Sequence, residues 1–151
     1  MQSLLQYLKK SRCIEIEGRT KDDVLHELAV AAINDDIRED AEDLCDELIE
    51  RENIMSTGIG IGIAVPHTRC PNTDVFTLAV GRSKEGVHFD SLDGKPVFLF
   101  FLVVAPGNDH RKYLQILAKI VTALKDREFF QRLVDAPTPE DIYDYIEAYE
   151  K

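Results

Sequence analysis

The residue types best suited to chemistry close one stretch: Ser56-Thr-Gly-Ile-Gly-Ile-Gly-Ile-Ala-Val-Pro-His67. An imidazole is mostly neutral near pH 7 and can act as nucleophile, base or metal ligand. Pro66 fixes its own φ, removes a donor and drives Val65 towards an extended conformation. The pattern therefore predicts a strand that ends near Val65, with His67 on a stiff turn just beyond it. Gly58, Gly60 and Gly62 alternate with Ile59, Ile61 and Ile63. That is a strand period, with one β-branched face and one bare face open to close approach by a backbone, a ligand or a partner. The dinucleotide fingerprint is excluded, because Ile63 stands where its third glycine belongs and Pro-His follows instead of a helix. The phosphate-binding P-loop is excluded because no Gly-Lys-Ser/Thr ends the run. Cys70, three residues on, raises a Cys–His nucleophile or a metal site. Neither has a third orienting residue or paired ligand spacing. His26 reads as a helix residue and His88 as a strand or loop residue.

The elements that must position His67 can be read along the chain. Ile14–Glu17 alternates as a short strand ended by Gly18. Thr20 and Asp23 resemble a capping box, followed by a helical stripe of Val24, Leu25, Leu28, Ala29 and Ala32. Asn34-Asp-Asp36 breaks that helix. A second is expected from Asp36 as its cap, through Ile37, Ala41, Leu44 and Leu48, to Arg51-Glu52, delivering the chain to the glycine strand. Residues 68–72 read as a loop and 75–80 as a strand stopped by Gly81. Residues 82–93 read as a loop with an extended piece at 87–89. Val97–Val104 has no polar residue, the pattern of a central strand buried on both faces. Three helices follow. The first is capped by Asn108 or Asp109, the second by Asp126, and the third starts at Thr138-Pro139 and turns Ile142, Tyr145, Ile146 and Tyr149 inwards. The order predicts one α/β domain spanning residues 1–151, a mixed sheet covered by helices on its faces.

Composition narrows the function. The 151 residues are 44% hydrophobic and 30% charged, enough for a substantial core. A net charge of −10 argues against nucleic acid, which needs a basic face, and leaves room for a basic protein partner. The N-terminus lacks an apolar core of signal-peptide length, and the run from Val97 to Ala105 is too short to cross a bilayer. A cytoplasmic protein without direct membrane insertion is expected. Three cysteines with no C-x-x-C spacing read as free thiols.

The segment Ser56–His67 closely resembles the active-site segment of the type-2 enzyme IIA domains of the bacterial phosphoenolpyruvate:sugar phosphotransferase system. This is the fructose/mannitol class, which includes the nitrogen-regulatory IIA proteins. Gly86-Val-His-Phe-Asp90, Asp93-Gly-Lys-Pro-Val97, the apolar strand after it, and Ala105-Pro106 followed by Leu114-Gln-Ile-Leu-Ala118 resemble the family's second half, so the likeness covers nearly the whole chain. It implies a mixed sheet of five strands and a phosphoryl-accepting histidine at the position of His67. Such chemistry needs a neutral ring nitrogen, a group on the other ring nitrogen to fix the tautomer, and donors or positive charge around the transferred group. It needs no metal and no cofactor, because the phosphoryl group already sits on nitrogen in the donor.

The resemblance also points to the positive charge. The family has an arginine where this chain has Arg51, and a planar guanidinium suits phosphate oxygens. On residue type alone, Arg51 is an exposed arginine paired with Glu50 or Glu52. Many family members carry a second histidine after the Ala-Pro. Ungapped matching puts Tyr113 there, with His110 three residues earlier, on the same face of a helix that starts at Asp109. Thr68 replaces the smaller residue usual after the histidine, and its hydroxyl could donate to a phosphate or merely tolerate the turn.

The resemblance implies a phosphoryl carrier that is charged on His67 by an HPr-type protein and discharges to the cysteine of a IIB component. A regulatory alternative, implied by the nitrogen branch, has the phosphorylation state of His67 control docking to target proteins. The chain would be a phosphotransferase component in either case, not a stand-alone turnover enzyme.

Overall fold

A computed structural model describes residues 3–151. Two short 3-10 turns, Leu4–Gln6 and Lys10–Arg12, lead into strand β1 (Cys13–Glu15). Helices α1 (Lys21–Ala32) and α2 (Ala41–Ile54) follow. Then come strands β2 (Gly58–Gly60), β3 (Ile63–Ala64), β4 (His67–Cys70), β5 (Thr77–Val87) and β6 (Val97–Pro106). Helices α3 (His110–Leu124), α4 (Arg127–Val134) and α5 (Pro139–Glu150) complete the chain. The sheet runs β1-β5-β6-β3-β2, with β4 also paired to β6. It is mixed: β1–β5, β3–β6 and β4–β6 are parallel, while β5–β6 and β2–β3 are antiparallel.

Strand β6 is the axis of the fold, as its unbroken apolar run requires. Leu99, Phe101, Val103 and Ala105 join the core under α3, α4 and α5, while Phe100, Leu102 and Val104 join the core under α1 and α2. A strand with helices on both sides has no face left for polar residues. The helix starts follow their caps. Thr20, Asp40, Asp109, Asp126 and Thr138 each accept the amide three residues on, and Thr138 with Asp141 closes a full capping box ahead of Pro139. Ile142 and Ile146 of α5 are buried as expected, but Tyr149 is exposed and stacks on Phe129 at 3.9 Å between ring centroids.

The sheet has six strands rather than five, because the glycine stretch is not one strand. Gly60, Ile61 and Gly62 all take positive φ, 93°, 53° and 81°, so the chain reverses there and β2 folds back on β3. Positive φ in two glycines breaks the period that the alternation suggests. Ile61 is a β-branched residue in the left-handed region, and its amide is held there by Asp93 Oδ2 at 3.0 Å. Beyond it, β3 and β4 run along β6 in one continuous register, Ile63 opposite Leu99 and His67 opposite Val103, interrupted only at Val65-Pro66. His67 therefore opens a strand instead of sitting on a turn, and residues 68–70 of the expected loop 68–72 belong to that strand.

Two further expectations change. Helix α2 starts at Asp40, not Asp36. Asn34 Oδ1 takes the Asp36 amide at 2.8 Å in a local turn, and Ile37 is drawn into a bridge with Thr73. Strand β5 does not stop at Gly81. That glycine pairs with Phe100, and a Cβ on it would meet Ile16 Cδ1 at 2.7 Å. It makes room for β1 and α1 and lets the strand run on to Val87.

The glycines of the hairpin serve close packing inside the protein. A Cβ at Gly58 would meet Ser91 Oγ at 2.6 Å, and one at Gly62 would meet Phe130 Cζ of α4 at 2.7 Å. Gly107 has nothing within 4 Å and no positive φ. Gly62→Val is expected to cost about 3 kcal/mol, from overpacking plus a left-handed backbone, and Gly107→Ala close to nothing. Chemical denaturation reads the difference, and equal midpoints for the two variants would refute it.

Candidate functional site

The interruption at Pro66 shapes the site. Val65 donates its amide to Thr57 O at 3.0 Å, and Pro66 O accepts from the Val103 amide at 2.9 Å. The Val65 carbonyl lies 2.8 Å from His67 Nδ1. A carbonyl only accepts, so Nδ1 carries the hydrogen and Nε2 keeps the lone pair. His67 is half-buried, and burial pulls its pKa below the usual 6.5. The Val65 contact works against that shift, the charge of Arg51 adds to it, and the charge of Glu52 opposes it. The ring is thus neutral at pH 7, with Nε2 as its free nucleophilic nitrogen.

The last turn of α2 brings Arg51 to the site. Its Nη1 donates to the Met55 carbonyl at 3.1 Å, across the end of the helix. Its charge bears on both His67 and Tyr113. The pairing with Glu52 that residue type alone suggests is not the role Glu52 takes. That carboxylate is 4% exposed and accepts from the Thr57 amide at 2.7 Å, the Thr57 hydroxyl at 2.8 Å and Lys21 Nζ at 3.2 Å. It ties the end of α2 and the start of the hairpin to α1.

Tyr113 and His110 stand on the first turn of α3, whose N-cap Asp109 orients it. Tyr113 is 8% exposed, with its ring centroid 5.2 Å from that of His67. Burial pushes its hydroxyl up to about 12, against the charges of Arg51 and Arg69. It is a neutral donor beside the His67 ring. His110 is exposed, 6.1 Å from Tyr113 between ring centroids, and its Nδ1 is 2.6 Å from Arg69 Nη2.

Along β4 the strand period separates the remaining candidates. His67 and Arg69 share one face, while Thr68 and Cys70 are buried on the other. Thr68 therefore turns away from the His67 face, and of its two readings, donating to a phosphate or merely tolerating the local backbone, the first loses its geometric basis. Cys70 Sγ donates to Glu39 Oε1 at 2.8 Å, and burial pushes its thiol up to about 12. It is a protonated thiol facing away from His67, not half of a Cys–His pair. Three parts of the site escape a reading by residue type: Arg69, buried Glu52 and the Val65 carbonyl. For Arg69 the missing signal was the strand itself, since a residue two beyond His67 shares its face only if 67–70 is extended.

Comparison with known proteins places the chain in a family. Residues 7–149 match the family described as phosphoenolpyruvate-dependent sugar phosphotransferase system, EIIA 2. The chain is 31% identical over 133 residues to a fructose-specific EIIA component of Haloferax volcanii, covering 88% of this chain and 86% of that one. It is 33% identical over 133 residues to a nitrogen regulatory protein of Pseudomonas aeruginosa, with the same coverage. Against a fructose-specific EIIABC component of Bacillus subtilis it is 32% identical, but spans only 22% of that protein's length. The crystal structure of nitrogen regulatory protein IIA-Ntr from Neisseria meningitidis superposes with a TM-score of 0.87 at 28% identity, covering 95% of this chain and 99% of that one. Among the described residues no helix is long and apolar enough to cross a membrane. The chain belongs to the type-2 EIIA family of the phosphoenolpyruvate-dependent sugar phosphotransferase system.

Proposed function

We propose that this chain is a cytoplasmic phosphoryl carrier that works through His67 Nε2. The observation that carries the reading is the 2.8 Å contact of Nδ1 with the Val65 carbonyl, which leaves Nε2 as the nucleophile beside the charge of Arg51. A phosphorylated HPr-type protein presents its phosphohistidine. The Nε2 lone pair forms a new N–P bond while the donor's N–P bond breaks, and its electron pair returns to the donor ring. Charge spreads over the three equatorial oxygens, which the guanidinium of Arg51 is suited to meet. The positive charge that develops on the His67 ring is met through Nδ1–H by the Val65 carbonyl. A cysteine thiolate of a IIB component then attacks phosphorus, and the N–P electrons return to Nε2. Every step is an exchange between protein side chains.

A regulatory role rests on the likeness to IIA-Ntr of Neisseria meningitidis and to the nitrogen regulatory protein of Pseudomonas aeruginosa. Its first step is the same, and the phosphorylation state of His67 then controls binding to a target protein. One experiment tests the common step and separates the two. The protein is incubated with phosphoenolpyruvate, enzyme I and HPr, and intact mass before and after acid treatment is followed. One acid-labile phosphate is expected. Its loss on adding fructose- or mannitol-class IIB domains indicates transport. Full retention with each of them indicates regulation. A protein that takes up no phosphate overturns both.

A further inference from the structure

The Arg69–His110 pair is unexplained by stability. Both side chains are exposed, and a hydrogen bond in water between exposed groups contributes little to folding. Its chemistry is more informative. A guanidinium has no acceptor, so Arg69 Nη2 donates and His110 Nδ1 accepts, which leaves the hydrogen of His110 on Nε2. The pair holds Arg69, a long and otherwise mobile side chain, above the first turn of α3. Arg69 lies two residues from His67 on the same face of β4. Its charge also reaches Tyr113, as that of Arg51 does, and the Tyr113 ring lies 5.2 Å from His67. The charges of two arginines on different elements thus bear on one tyrosine, Arg51 from the end of α2 and Arg69 from β4.

We propose that Arg69 is a second phosphate-binding residue of this site, and that His110 is the positioning residue that holds it ready until the phosphoryl group arrives. This rests on the phosphocarrier reading above. Before transfer, Arg69 donates to a neutral imidazole. The incoming group offers it two negative charges and three equatorial oxygens, a far stronger acceptor than a ring nitrogen. Arg69 therefore leaves His110 and binds the phosphoryl group together with Arg51. No proton moves in the exchange, and His110 keeps its Nε2–H. The device also accounts for the tyrosine at position 113. With two guanidinium groups supplying charge, the α3 position needs only a neutral donor.

The test measures phosphoryl transfer from phospho-HPr at saturating donor, so that docking and chemistry separate as KM and kcat. It is paired with nitrogen-15 spectra of the imidazole rings before and after phosphorylation. Arg69→Ala is expected to lower kcat about tenfold to a hundredfold, the value of a lost charged hydrogen bond, with the melting temperature unchanged. His110→Ala should lose less, and His110→Gln, whose amide oxygen can take the guanidinium hydrogen, should recover most of it. In the wild type, His110 Nδ1 should show a hydrogen-bonded, unprotonated signal that changes when His67 is phosphorylated. In Arg69→Ala it should not change. Transfer by Arg69→Ala at the wild-type kcat, or a His110 signal indifferent to phosphorylation, would overturn the assignment and leave a plain surface pair. A wild-type protein that takes up no phosphate at all would instead overturn the phosphocarrier reading, and this assignment with it.

Discussion

His67→Ala is expected to abolish phosphorylation by phospho-HPr while leaving a folded protein. Among the described residues the imidazole makes one hydrogen bond, 2.8 Å from Nδ1 to the Val65 carbonyl, and one ring contact, with Tyr113. Losing both should cost about 1 kcal/mol, or a fall of about 2–4 °C in melting temperature for a domain of this size. The chemical loss is complete because no other side chain takes over. Cys70 faces the opposite side of β4 as a protonated thiol, and His110 has its Nδ1 occupied by Arg69. The pH dependence has a definite sign. Burial lowers the His67 pKa below 6.5, so the nucleophilic neutral form persists as pH falls through 6.5. The labelling rate should fall with acidification around a midpoint below pH 6.5. A mutant labelled at the wild-type rate, or a wild-type rate that already halves above pH 6.5, would remove His67 from the centre of the reaction.

The role read for His67 comes from the family likeness of Ser56–His67. The proline before it constrains the backbone locally, but on its own it suggests a turn where the structure opens β4. The apolar run of β6 is legible, because burial on both faces leaves no alternation to misread. The hairpin at Gly60–Gly62 is not. Glycine alternating with isoleucine is compatible with an extended strand and with a reversal through positive φ, and what decides is contact with Phe130 and Asp93, both far along the chain. Gly81 misleads for the same reason: its missing side chain accommodates Ile16, and nothing near it in sequence says so. With residues 68–72 read as a loop, Thr68 looks available to a phosphate and Arg69 looks incidental. Once 67–70 is a strand, Arg69 shares the face of His67 and Thr68 does not. Arg51 is legible only through family likeness, and its hydrogen bond to the Met55 carbonyl depends on where α2 ends.

Arg82→Ala should be strongly destabilising. Arg82 is 0% exposed, in the middle of β5, where sequence pattern places a loop. Its Nε donates to Glu15 of neighbouring β1 at 2.9 Å. Its Nη1 donates to the carbonyls of Val134 at 2.9 Å and Ala136 at 2.6 Å, at the end of α4. A helix end leaves carbonyls without amides and carries partial negative charge, and a buried cation answers both. Alanine would orphan these acceptors, leave Glu15 without its counter-charge and open a cavity the length of the side chain. Removing one partner of a buried pair costs about 3–5 kcal/mol, a large part of the 5–15 kcal/mol that holds a typical domain. A fall of about 10 °C in melting temperature is the corresponding readout. Arg82→Lys keeps the charge but cannot serve both sets of acceptors, and should fall between the two. The loss should also reach the site. Arg82 fixes the end of α4, α4 carries Phe130, and Phe130 packs where the hairpin turns at Gly62, five residues before His67. Arg82→Lys should therefore label more slowly than wild type even at temperatures where it is fully folded. If Arg82→Ala unfolds within 1 kcal/mol of wild type, the buried network is not what joins α4 to the sheet. If Arg82→Lys is destabilised yet labels at the wild-type rate, the hairpin holds His67 without help from α4.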